Sequence, residues 1–187
     1  MDNNLTIILE GGNYMLVREY KKEDLDGVAK VHVDAWISTY SGMIPREYLI
    51  SRTYEKQQKK WNDRLFNNKN TDEFMFVLEN EDKEVVGFAT AIINDEDSNF
   101  DSTLYTIYIL KEYQGKGFGR MLIKAVTEKL VSLGAKSMIL FAFANNCACE
   151  FYEHLGGKKG NSSIINISGV DLIEVEYYWN EINHLTI

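Results

Sequence analysis

The chain has 187 residues, 45% hydrophobic, 12% aromatic and 26% charged, with one proline and a formal net charge of −8. This composition excludes a disordered or fibrous chain, and the length fits one domain that buries roughly two thirds of the surface exposed on unfolding. The acidic balance opposes non-specific nucleic-acid binding, which depends on neutralising phosphates with Lys and Arg, and no apolar stretch approaches the ~20 residues of a membrane helix.

The first apolar run, Leu5 to Leu9, lacks a preceding basic region and ends in Glu10-Gly11-Gly12, unlike a signal peptide. Met15 to Tyr20 reads as a strand. Lys21 to Asp24 then places acid in the first turn of a helix whose apolar positions are Leu25, Val28, Ala29, His32, Ala35 and Trp36. Gly42 and Pro45 break the chain before a second helical region, where Tyr54, Gln58, Trp61 and Leu65 share a face and Asn67 to Asn70 close it.

Phe74 to Glu79 and Val85 to Ile93 read as a hairpin across the turn Asn80-Glu81-Asp82-Lys83. Leu104 to Leu110 is nearly continuously apolar, the pattern of a central strand buried on both faces. From Phe118 the period becomes helical through Met121, Leu122, Ala125, Val126, Leu130 and Leu133, ended by Gly134. Ser137 to Phe143 is strand-like. Ala148, Phe151, Tyr152 and Leu155 mark a short helix before Gly156-Gly157, and Ile173 to Trp179 is a last, alternating strand. The order is mixed α/β in one layered domain.

Chemistry concentrates in Gln114-Gly115-Lys116-Gly117-Phe118-Gly119-Arg120, between a strand and an amphipathic helix. Glycines there let the main chain approach an anion closely, the free N–H groups of a helix start can hold a diphosphate, and Lys116 and Arg120 add charge. The loop is not a Walker loop, since no Gly-Lys-Ser/Thr follows at the required spacing. It is not a dinucleotide fingerprint either, because Gly115, Gly117 and Gly119 alternate.

The sequence resembles the GNAT superfamily of N-acetyltransferases. Gln114, Gly117 and Gly119 match that family's Gln/Arg-x-x-Gly-x-Gly/Ala loop, and Asn145, Ala148, Phe151-Tyr152 and Leu155-Gly156 match its second signature. The resemblance runs from Met15 to about Trp179. It implies an α/β (α+β) GNAT acyl-CoA N-acyltransferase fold, a splayed mixed β-sheet flanked by helices, as a single N-acetyltransferase domain over 15–187 behind an extension, 1–14, of unassigned role.

It also implies acetyl-CoA (coenzyme A) as cosubstrate. The main chain of Ile107, Tyr108 and Ile109 would pair with the pantetheine arm, with an N–H near Ile109 polarising the thioester carbonyl. The loop of Gln114, Gly115, Lys116, Gly117, Phe118, Gly119 and Arg120 would hold the pyrophosphate. Asn145 would face the pantetheine arm or cap the strand end. Tyr152 matches the position of the acid that protonates the leaving thiolate, and its alternative is packing beside Phe151.

Thr103 stands where many members carry a basic glutamate, so the base is left among Asp101, Tyr105, His32 and a water chain. His32, Trp36 and Tyr40 fall where the family builds its acceptor site; core packing is the competing reading for all three. Cys147 and Cys149 are too close for a disulfide and too few for a metal site, which fits a reducing cytoplasm. The expected partner is a small-molecule amine, without nucleic acid or membrane, and with a homodimer as the assembly considered. A protein N-terminus as acceptor and a non-catalytic acetyl-CoA-binding regulatory module are the alternatives.

Overall fold

A computed structural model describes residues 5–8, 14–67 and 73–185. In chain order its elements are β1 (Leu5–Ile8), β2 (Tyr14–Glu19), α1 (Leu25–Tyr40), α2 (Arg46–Ile50), α3 (Tyr54–Asn62), β3 (Phe74–Glu79), β4 (Val85–Ile93), β5 (Ser102–Ile109), α4 (Phe118–Ser132), β6 (Met138–Phe143), α5 (Ala148–His154), β7 (Lys158–Ile167) and β8 (Val170–Trp179). The strands form one sheet in the order β1-β2-β3-β4-β5-β6-β8-β7. Among the described strands, β5 and β6 are the one parallel pair.

The mixed α/β architecture is the one the sequence implies. Strands β3 and β4 are buried on both faces, with Phe76, Leu78, Phe88 and Ala89 fully enclosed. Helix α4 supplies Leu122, Val126 and Leu130 to this core, and α1 and α3 supply Val28, Val31 and Trp61. Fully burying one such aliphatic side chain is worth about 1.5–3 kcal/mol, so these strands are the stable backbone of the sheet.

Beyond β4 the structure departs from the sequence reading. Strand β5 is not buried on both faces: Tyr105 is 51% exposed, and Thr106 to Tyr108 are half-buried. The cause lies in the neighbouring strand, since β6 pairs with β5 only at Ser102↔Met138 and Thr103↔Ile139 and then diverges. A register shift between Thr90 and Ala91 leaves Tyr105 without a partner in β4, so a bulge kinks β5 where the sheet opens.

Three elements lie outside the sequence reading. Helix α2 starts directly after Pro45, its N-cap, whereas α1 has already ended at Tyr40. Strand β1, within the assumed extension, pairs antiparallel with β2. Strand β7 is a sheet edge exposed along most of its length, so it has no buried face to impose alternation on its sequence. Its turn into β8 uses Ser168 and Gly169, both at positive φ, and carries β8 back to Val170, three residues before the expected start. The expected close of the second helical region at Asn67 to Asn70 falls mostly outside the described residues.

The root of the splay is clamped by side chains. The Asp101 carboxylate accepts the main-chain N–H groups of Lys136 (2.8 Å) and Ser137 (3.0 Å), Ser137 Oγ accepts from Asp101 N–H (2.9 Å), and Ser102 Oγ donates to Ser137 O (2.8 Å). The N–H of Lys136 is the largest cause holding the Asp101 carboxyl below the usual carboxylate range. A group depressed in the folded state stabilises above its unfolded pKa and loses that contribution as pH falls. Asp101→Ala should therefore lower the melting temperature by about 2–4 °C at neutral pH and show a smaller deficit below pH ~4, measured by calorimetry.

Candidate active site

Where β5 and β6 part, a cleft of about 470 Å³ opens, lined by β5, the loop after it, the start of α5 and the end of α1. Leu110 N–H donates to Val86 O (2.9 Å). By the alternation of an antiparallel ladder, this places Tyr108 in the bonded set with β4 and turns the N–H and C=O of Ile107 and Ile109 toward the cleft. Gln114 Nε2 donates to Ile109 O (2.8 Å), which leaves the Ile109 N–H as the cleft-facing donor. The main chain of Tyr108 thus belongs to the sheet, and its ring faces α1.

Gly115 (φ +72°) and Gly117 (φ +86°) adopt left-handed conformations with open space where a Cβ would stand. Gly117 caps α4 without any side-chain bond, and the first helical bond is from Arg120 N–H to Gly117 O (3.0 Å). The N–H groups of Phe118 and Gly119 precede that bond and have no acceptor within the helix. A bare helix start with its positive dipole end facing a cleft fits an anionic group such as a diphosphate.

Gln114, Gly115, Gly117, Gly119 and Arg120 all line the cleft. Phe118 does not; its side chain is in the core, so only its main chain faces an anion. Lys116 lies over the Tyr113 ring (5.6 Å), outside the lining. Gly119 packs tightly: a Cβ there would sit 3.1 Å from the Phe151 ring, which would have to give way slightly.

The opposite wall carries phenols. Tyr40, Tyr108 and Tyr152 line the cleft, and burial raises the pKa of each. For Tyr152, burial is followed in effect by Tyr40, Cys149 and Cys147, and its hydroxyl makes no hydrogen bond among the described residues. It is a protonated, unengaged phenol at neutral pH. Asn145 is exposed and outside the lining; Asn146 lines the cleft and caps α5, its Oδ1 accepting from Ala148 N–H (3.0 Å). The sequence signal for Asn146 was the Asn-x-Ala spacing of an Asx cap.

His32 is buried behind Tyr108, its ring stacked at 5.2 Å, and does not line the cleft. Trp61 Nε1–H donates to His32 Nδ1 (3.0 Å), so the imidazole proton is on Nε2. Burial, then the charges of Arg52, Lys60 and Arg64, lower its pKa to about 3. Trp36 is also buried, tilted against Tyr40 at 4.4 Å, with its indole N–H lacking an acceptor among the described residues. Asp101 is committed to the splay clamp, and the Thr103 hydroxyl donates to Asn94 Oδ1 (2.9 Å). Of the bases named from sequence, Tyr105 is a lining residue of the cleft, and His32 and Asp101 are not.

Comparison with known proteins bears on the family and the fold. Residues 36–157 match the model of the acetyltransferase (GNAT) family. An uncharacterised N-acetyltransferase of Bacillus subtilis, YuaI, is 36% identical over 170 residues, covering 90% of this chain and 95% of its own. Among solved structures, the PaiA N-acetyltransferase of Thermoplasma acidophilum in complex with coenzyme A superimposes with a TM-score of 0.64 at 20% identity, covering 88% of this chain and 99% of its own. An N-acetyltransferase of Staphylococcus aureus Mu50 gives 0.68 at 22% identity over 88% and 97%.

The state of His32 is open to measurement. A base whose folded pKa is depressed stabilises the fold above its unfolded value near ~6.5, and the contribution is lost as pH falls toward about 3, because the unfolded chain takes up the proton first. Urea unfolding should lose up to about 1.4 kcal/mol per pH unit below that point from this residue. His32→Gln should flatten the slope, and the His32 ring should show no titration between pH ~5 and ~8 by NMR.

Proposed function

The chain belongs to the acetyltransferase (GNAT) family, and from that premise we propose that it transfers the acetyl group of acetyl-CoA to a primary amine of a small molecule by direct attack. The observation that carries this reading is the coincidence, in one cleft, of an unpaired β5 edge, a glycine-rich helix start and a buried phenol. Acetyl-CoA supplies an activated acyl thioester. The chain supplies position and proton control.

In this reading the main-chain N–H and C=O of Ile107 take up the pantetheine arm as an added strand would. The N–H groups at the start of α4, with Gly115, Gly117 and Arg120, hold the diphosphate. The Ile109 N–H polarises the thioester carbonyl, and Tyr152 protonates the departing sulfur. The raised pKa of Tyr152 keeps that proton in place through neutral pH, so the acid is present whenever the amine is. We place the activity in one domain, residues 15–187, and in the reducing setting suited to Cys147 and Cys149 as free thiols.

Two measurements test the reading. Acetyl-CoA at ~100 times its dissociation constant should add about 2.7 kcal/mol of stability, and Gly117→Asp should abolish the shift by placing a carboxylate and a strained side chain against the diphosphate. An unchanged shift in that variant rejects the loop assignment. Tyr152→Phe should keep both the cofactor shift and the fold while turnover, read by free-thiol release, drops ~10²-fold. Turnover within a few-fold of wild type makes Tyr152 a packing residue.

A further inference from the structure

Resting on the transferase reading, we propose that the acceptor carries a carboxylate beside its amine, and that Arg52, Lys60 and Arg64 on the α1–α3 flank of the cleft receive that carboxylate. The proposal narrows the acceptor to amino acids and short peptides and excludes polyamines and other polycations.

None of the three cations lines the cleft itself, but Arg52 and Arg64 stand on aromatic rings at its flank. The Arg52 guanidinium lies 3.6 Å from the centre of the Trp36 ring and 5.7 Å from that of Tyr48. Trp36 tilts against Tyr40, which lines the cleft. Arg64 lies 4.8 Å from the ring of Tyr105, which also lines the cleft, at the bulge of β5. The charge of Arg52 reaches Tyr40 and Tyr108 as well as His32, so its field extends into the cleft wall.

The charges there do not cancel. Arg64 forms an ion pair with Glu73, whose side chain is almost fully buried. Arg52 and Lys60 form no ion pair among the described residues, and Arg52 is half-buried. Burial and then the charges of Arg52 and Arg64 lower the pKa of Lys60, the direction that crowded cations impose on one another. The charges of Arg52, Lys60 and Arg64 all act on His32, and Lys60 also feels the Tyr48 hydroxyl and the Glu73 carboxylate. This local excess stands against a chain of net charge −8.

An anion is the complement that such a site lacks. A guanidinium held flat on an indole keeps its edge free for two parallel N–H bonds to a carboxylate, which a point cation does not offer. The same field repels a second ammonium group, so spermidine or an aminoglycoside meets like charge where a carboxylated amine meets its counter-ion.

The test is free-thiol release with acetyl-CoA over matched acceptors: L-amino acids, their amides, the dipeptide alanyl-glutamate, and spermidine. The free amino acids and the dipeptide distinguish the two sources of the carboxylate. Wild type should prefer carboxylated amines to the amides and to spermidine by about tenfold or more in kcat/KM. Arg52→Gln and Lys60→Gln should each raise KM for the carboxylated acceptor about tenfold with kcat little changed, and leave the amide unaffected. Arg52→Lys should retain part of the preference. Equal use of amides, superior use of spermidine, or variants that keep the wild-type preference would overturn the proposal.

Thermal shift with acetyl-CoA on every variant keeps the two readings separate. If wild type binds acetyl-CoA but acetylates none of the panel, the transferase reading is at fault, and calorimetric titration with N-acetyl-L-amino acids in the presence of coenzyme A decides the site. Binding weakened in Arg52→Gln supports it, and no binding to wild type sinks it.

Discussion

The parting of β5 from β6 is the constraint on which the rest of this structure depends. Two parallel strands joined at only two residue pairs leave the edge of β5 without its ladder partner for the remaining length. An unpaired strand edge inside a domain is normally costly, because its N–H and C=O groups lose water without gaining partners. Here the open edge faces a cleft, and the Asp101–Ser137 clamp at its root fixes where opening begins. The Tyr105 bulge, the bare start of α4 and the cap of α5 by Asn146 gather at that one gap.

Burial and charge divide the cleft into regions with different tasks. On the α4 side, main-chain N–H groups and Arg120 provide positive potential without a buried charge. On the α1 side, rings of Tyr40, Tyr108 and Tyr152 present hydroxyls that burial keeps protonated. His32, enclosed by Trp61, Phe88 and Tyr108, holds the packing of that wall as a neutral ring. At the outer flank Arg52 and Arg64 stand on the faces of Trp36 and Tyr105.

Rigidity follows from the same division. The central strands β3 and β4 are enclosed from both sides and hold the frame. The outer hairpin of β7 and β8 carries Ile164 and Ile173 as an exposed cross-strand pair, and its inner residue Leu172 packs with Trp36, Tyr40, Ile44 and Leu49. The wall that bears Tyr40 is therefore supported by two elements far apart in sequence, α2 and β8.

What the sequence by itself determined is whatever local chemistry dictates. The amphipathic period of α4, the apolar runs of β3 and β4, and the glycines at 115, 117 and 119 announce a helix start open to an anion, because these features need only neighbours in the chain. The short helix that carries Tyr152 was legible for the same reason, through the spacing of Ala148, Phe151, Tyr152 and Leu155, whereas the role expected of Tyr152 came from the family resemblance alone. Tertiary structure alone decided which groups face the gap. It put Asn146 rather than Asn145 into the cleft, gave the Tyr108 main chain to β4, and closed His32 behind aromatic rings. It also set Arg64 on the ring of Tyr105, some forty residues further along the chain, and Arg52 on that of Trp36. Those outcomes depend on where two strands diverge and on contacts distant in sequence, and no periodicity within a single element encodes them.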